Sequence, residues 1–261
     1  MSGVFITRGM RVTIPSGGLT LAIGNHRKVT GNVTIHVRFD VCPTWVQLAL
    51  RHLDDAKAKK ALRVAAWAGA DEDQKAATLE REFEAAMQAI MAAAIAVDAF
   101  YALIQSHVHL PPSIVTKWRT NRTAHYRQVT EVLQRGFQLK PKGVGTLRQN
   151  LKEIYRVRDL AVHPSGKIEA PILHPELGVG VEWRFAYFSA DNAELLVNAA
   201  TWILWQLAYM GKPKDPEIQG YIAGLRPRLG DLFPTGHPSS SSAQKVGGDA
   251  QLGAADGTQT A

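Results

Sequence analysis

Residues Ala85–Ile104 read AAMQAIMAAAIAVDAFYALI, a stretch of mostly Ala, Ile, Met and Val broken by Gln88 and Asp98. A carboxylate in the middle of a membrane span costs about 2.5 to 3.5 kcal/mol, and so much alanine adds little hydrophobic drive. The segment predicts the buried central helix of a soluble domain, not a span. The helical period extends outward on both sides, from about Glu72 to His107, through Leu79, Phe83, Ile90, Ala94, Val97 and Tyr101, until Pro111-Pro112 stops it.

Other helices flank this one. Thr44 and Gln47 have capping-box spacing, and Val46, Leu50, Leu53, Ala61 and Val64 then recur on one face up to Gly69. A further helix is predicted over about 113–136. After the break Lys140-Pro141-Lys142-Gly143, Thr146 and Gln149 repeat the capping-box spacing and open a helix from Leu147 to about Val162. Asp191 to Met210 has a broad apolar face, and a last helix is predicted from Pro216 to about Leu229.

Strand patterns stand outside these helices. Val33, Ile35, Val37, Phe39 and Val41 alternate with polar residues, and shorter alternating runs at Met10–Ile14 and Leu19–Ile23 flank Pro15-Ser16-Gly17-Gly18, which suggests a hairpin. A second hairpin is predicted from Ile168–Leu173 and Val181–Phe188, where Val181, Trp183, Phe185 and Tyr187 alternate with Glu182, Arg184 and Ala186. The chain thus reads as mainly α, with an N-terminal β element over 1–41, a helical domain over 42–229 and a disordered tail over 230–261, rich in Ser, Gly, Ala and Gln.

Charge narrows the function class. The whole chain carries +7, while residues 115–167 hold twelve Lys or Arg against three acids, a balance of +9. Such a bias suits contact with phosphates or a solvated basic face, and Arg119, Arg122, Arg127, Arg148, Lys152 and Arg156 are the candidate nucleic-acid contacts. One cysteine, Cys42, excludes an intramolecular disulfide framework and a multi-Cys zinc cage. No metal or cofactor is called for, and the start MSGVFITRGMRV has no apolar leader, so a reducing cytoplasm is the expected location.

The stretch Thr146–Pro164, TLRQNLKEIYRVRDLAVHP, carries the candidate chemistry. Arg158 falls on the packed face with Leu151 and Ile154, where a guanidinium needs an anion or an acid. Asp98 is one candidate partner; local pairing of Asp98 is the other. His163 stands at the helix end, freed from helical phase by Pro164, and could turn back toward Arg158. Arg158-Asp159-Leu160-Ala161-Val162-His163 resembles the Arg–polar–x3–His signature of HEPN domains, all-α modules common in toxin, antiphage and RNA-processing proteins. The resemblance implies an HEPN-like helical bundle and metal-independent RNA cleavage at a site formed across a homodimer. Arg158 would hold the scissile phosphate, His163 would transfer protons and Asp159 would orient both. RNA is then the partner, with a neutralising protein as a further one and no membrane. The alternatives are a non-catalytic module of the same fold that binds RNA, a nucleotide or a protein, with Arg158 and Asp159 in structural ion pairs, and an assembly protein that pairs through its strands.

Overall fold

The computed structural model describes residues 5–23, 29–163 and 166–237. The expected tail from 238 onward and Pro164 lie outside the described residues. The molecule is mainly α, with eight helices and three short antiparallel ladders among those residues.

Helices α1 (Cys42–Trp67) and α2 (Glu72–Gln105) form the central antiparallel pair. The buried residues of the pair include many small side chains, Ala49 and Ala56 on α1 and Ala85, Ala86, Ala89, Ala92, Ala93 and Ala96 within α2. Ile90, Val97, Phe100 and Ile104 are fully buried beside them, and each fully buried aliphatic or aromatic side chain stabilises the fold by about 1.5–3 kcal/mol. α2 is the one described helix long and apolar enough to cross a membrane, and it is the core helix of the bundle, packed on α1, α7 (Ala190–Tyr209), α4 (His125–Phe137) and α5 (Pro141–Val162). α3 (Pro112–Thr120) leads into α4, and α8 (Pro216–Leu232) closes the bundle against α7 and α1.

Neither predicted capping box caps its helix. α1 begins before Thr44, with Pro43 in its first turn and the Asp40 carboxylate accepting from the Cys42 N–H at 3.0 Å. α5 begins at Pro141, so the expected break at 140–143 is its first turn; proline is favoured there because its missing N–H would be unsatisfied anyway. Asp71, Ser189 and Asp215 cap the starts of α2, α7 and α8 with their side chains. The helix expected over 113–136 is two helices. Arg122 turns left-handed at φ 46°, and Thr123 N–H donates to the Trp118 carbonyl at 2.9 Å, closing the turn before α4 restarts. No glycine or proline marks this turn.

The N-terminal strands pair differently from the expected hairpin. β1 (Met10–Thr13) pairs with β4 (His36–Phe39), and β2 (Leu19–Ile23) pairs with β3 (Val29–Val33). Together they make one long two-stranded arm whose outgoing limb carries the insertion Ile14–Gly18. Pro15 has no N–H for a ladder, and Gly18 N–H turns back to the Pro15 carbonyl at 2.8 Å. Apolar side chains on the arm stay exposed, Leu21 at 69% and Leu19 at 55%. Its base is pinned to α8: Arg8 pairs with Asp231, Arg11 with Glu217 at 2.7 Å, and Arg228 donates to the Asp40 carbonyl at 2.8 Å.

The second hairpin is shorter than expected, Ile172–Leu173 (β5) against Gly180–Val181 (β6). Its expected return strand is instead a helical turn, α6 (Trp183–Tyr187), capped by Glu182 accepting from the Arg184 N–H at 2.8 Å. Trp183 and Tyr187, four apart, meet edge to face, while Phe185 and Phe188 pack on Phe83 of α2. An alternation of aromatics over so few positions fits a helical turn as well as a strand. Residues 230–237, expected in the tail, are part of the fold. α8 reaches Leu232, Phe233 is buried, and the His237 ring packs on Trp202, Trp205 and Phe233.

Two glycine substitutions test the packing. A Cβ at Gly211 would fall 2.2 Å from the Leu207 carbonyl oxygen and 2.5 Å from a Phe137 ring carbon, whereas one at Gly224 would meet nothing within 4 Å. Thermal unfolding should show Gly211→Ala losing about 1–3 kcal/mol. Gly224→Ala should gain about 0.5–1 kcal/mol, from helix propensity alone.

Candidate functional site

The acid in the middle of α2 organises a polar cluster that includes Arg158. Asp98 Oδ1 accepts from the Tyr155 hydroxyl at 2.6 Å and lies 2.8 Å from His125 Nε2, and Asp98 Oδ2 accepts from Arg158 Nη1 at 2.8 Å. Three helices supply these groups: Asp98 comes from α2, His125 from the first turn of α4, and Tyr155 and Arg158 from one face of α5. The imidazole stands edge to face between Tyr101 and Tyr155, at 5.6 and 4.9 Å between centroids, and the Arg158 guanidinium lies 4.8 Å from the centre of the Tyr155 ring.

Burial on its own would raise the Asp98 carboxyl, but the hydrogen bonds from His125 and Tyr155 and the charges around it outweigh burial and hold it below the usual carboxylate range. Burial and the neighbouring Asp98 push the Tyr155 hydroxyl well up, so it stays a proton donor to the carboxylate. The cluster is open on one side: His125 is 40% exposed and Asp98 30%.

Arg158 is committed within this frame. Besides Asp98 it donates from Nε and Nη2 to Asp159 Oδ1, at 3.1 and 2.8 Å. The guanidinium fork is thus shared between two carboxylates, and a phosphate would have to displace one of them. His163 lies elsewhere. It follows the last turn of α5, is exposed, and its backbone N–H donates to the Asp159 carbonyl at 2.9 Å. Among the described residues no hydrogen bond, ion pair or ring contact joins its side chain to Arg158.

The six basic candidates are exposed on α3, the turn after it, α4 and α5. Arg156 pairs with Glu153 at 2.9 Å and its guanidinium lies 5.4 Å from the centre of the Tyr187 ring. Arg119, Arg122, Arg127, Arg148 and Lys152 form no ion pair with a carboxylate among the described residues. Arg122 and Arg127 line an open cavity of about 580 Å³ between α3 and α4. On α5, Arg148 and Lys152 stand four apart, one turn above the other on the same side.

No family model, curated protein or solved structure matches the chain.

His125 and Tyr155 are not among the residues that the sequence motif and the basic segment single out. One signal was present: Asp98 interrupts an otherwise apolar run, and five positions separate Arg119 from His125, one more than separate Arg158 from His163. What joins them is helix packing, which places α4 and α5 side by side over α2. Among the described residues no three His, Cys, Asp or Glu side chains group as a metal site would require.

Proposed function

We propose that this chain is an HEPN-like, RNA-binding protein that grips the phosphate backbone through the basic side chains of α3 to α5. One contrast supports the reading. Arg119, Arg122, Arg127, Arg148 and Lys152 are exposed cations with no carboxylate partner among the described residues, whereas Arg158, the motif arginine, is spent on Asp98 and Asp159. Exposed, unpaired cations release counterions from a polyanion without first breaking an ion pair. Arg158 then serves chiefly to lock α5 onto α2.

The test is RNA affinity as a function of salt. Wild type should bind a labelled single-stranded RNA with a steep loss of affinity between low and physiological salt. Arg148→Glu with Lys152→Glu should lower affinity at least tenfold at low salt and flatten the slope by about the number of phosphates no longer contacted. Affinity that ignores both salt and these charges removes the reading.

RNA cleavage is the second reading, and one observation favours it: a part-exposed imidazole, His125, sits on the same carboxylate as Arg158. In that chemistry the 2′-oxygen attacks the adjacent phosphorus, the bond to the 5′-oxygen breaks, and a cyclic phosphate remains. One imidazole takes the 2′-hydroxyl proton or supplies one to the leaving oxygen. A homodimer and a neutralising protein belong with this reading. Incubating RNA with the protein in excess chelator separates the candidates. Loss of cleavage in His125→Ala but not in His163→Ala would assign the proton transfer to the cluster; the reverse would assign it to the motif.

A further inference from the structure

The α3–α4 cavity has a composition that the backbone-gripping reading does not require. Its walls carry Lys117, Arg122 and Arg127, together with the half-buried aromatic side chains Trp118 and Tyr126. The one acid in the lining, Glu131, is already held by Arg135 at 2.7 Å, so its charge is compensated outside the cluster of cations. Lys117, Arg122 and Arg127 have no carboxylate partner among the described residues, and Arg127 Nε donates to the Tyr126 hydroxyl at 3.1 Å, which ties the cation to the ring. A volume of about 580 Å³ is within the range of small-ligand sites, about 300–1,000 Å³. Three cations lining one cavity favour an anion there, and flat aromatic side chains beside them favour a planar ring carried on that anion.

We propose that this cavity binds a nucleoside monophosphate, its phosphate held by Lys117, Arg122 and Arg127 and its base against Trp118 or Tyr126. Two sources share that chemistry, a free mononucleotide and the 5′-phosphorylated end of an RNA strand, and only the second rests on the RNA-binding reading. The site is separate from the basic pair Arg148 and Lys152, and it adjoins the Asp98 cluster through the first turn of α4, where His125 lies between the lining residues Ala124 and Tyr126.

Calorimetry on the full chain tests it, with AMP, inorganic phosphate, and a short RNA carrying either a 5′-phosphate or a 5′-hydroxyl as probes. Arg122→Asn removes the charge while tolerating the left-handed backbone, and Arg127→Gln removes the second. The expected result is AMP binding at least tenfold tighter than phosphate, weakened at least tenfold in the double variant with its unfolding temperature unchanged. Tighter binding of the 5′-phosphate RNA than of both AMP and the 5′-hydroxyl RNA would identify a strand end as the ligand; equal or weaker binding than AMP would identify the free nucleotide. Arg148→Glu with Lys152→Glu should leave AMP binding intact. If that pair abolishes binding of long RNA while AMP never binds, the cavity proposal falls and the RNA-binding reading stands. If AMP binds but long RNA does not, the RNA-binding reading falls and the cavity stands. AMP binding that is unaffected by Arg122→Asn and Arg127→Gln, or no tighter than phosphate, overturns the assignment.

Discussion

Glu82→Leu is expected to lower the free energy of unfolding by about 3–5 kcal/mol in denaturant titration, the cost of stripping a buried charge of its partner. Arg63 and Glu82 are the most deeply buried ion pair among the described residues, at 1% and 2% exposure. Glu82 also accepts the N–H of Ala190 at 3.0 Å, at the start of α7, and Arg63 reaches on to Glu176 in the loop of the second hairpin. Lys60 completes the set by bonding both Glu176 and Asp191 at 2.6 Å. Four parts of the chain thus meet in one charge network: α1, α2, the start of α7 and the hairpin. Removing both charges, as Arg63→Met with Glu82→Leu, should recover much of the loss, because no buried charge is then left alone. A single-variant loss below about 1 kcal/mol would mean that the pair is solvated. The same region predicts acid sensitivity. His174 is buried beside it, and burial together with the Arg63 charge holds its imidazole below the ordinary value. A depressed histidine resists protonation in the folded state, so stability present above about pH 6.5 declines as the pH falls below it.

Asp98→Ala should be the second most costly change, about 2–3 kcal/mol. It leaves the buried Tyr155 hydroxyl without an acceptor and takes one carboxylate from Arg158. The cost is smaller than at Glu82 because Asp98 is 30% and Arg158 23% exposed, and Arg158 keeps Asp159. Asp98→Asn preserves an acceptor for Tyr155 and should lose only about 1 kcal/mol near neutral pH. Acid titration distinguishes charge from packing. Since the folded carboxyl is depressed, its contribution is present above the ordinary carboxylate pKa, about 4, and disappears as the pH falls through the lower folded value. Stability of wild type and Asp98→Asn should therefore converge toward the acid end. A gap that stays constant with pH would show that Asp98 acts by shape alone.

Long, periodic segments were legible because burying an apolar stripe is what forms them. α2, α7 and the body of α1 could be read from their residues alone, since Ile90, Val97, Leu196 and Leu204 recur at the spacing that a packed face demands. Short-range signals misled. The Thr44 and Thr146 capping boxes lie inside helices that proline-containing turns had already begun, and the aromatic alternation at 183–187 belongs to a helical turn capped by Glu182. The turn at Arg122 left no mark at all, because a left-handed arginine is set by its surroundings and not by its own preference.

At the candidate site the division is similar. The basic excess of 115–167 and the need of Arg158 for an acid follow from composition and helical phase, and Asp98 was one of the acids that could meet it. That His125, 27 positions from Asp98, shares its carboxylate, and that His163, five positions from Arg158, is not bonded to it, depended on how α4 and α5 settle over α2. By itself the sequence determined a helical protein with an alanine-rich centre and a cationic segment, because periodicity and charge are carried by single residues. Only the tertiary structure decided which arginine is held by carboxylates and which have no carboxylate partner among the described residues, because an ion pair between helices depends on distances of a few ångströms that no spacing along one chain encodes.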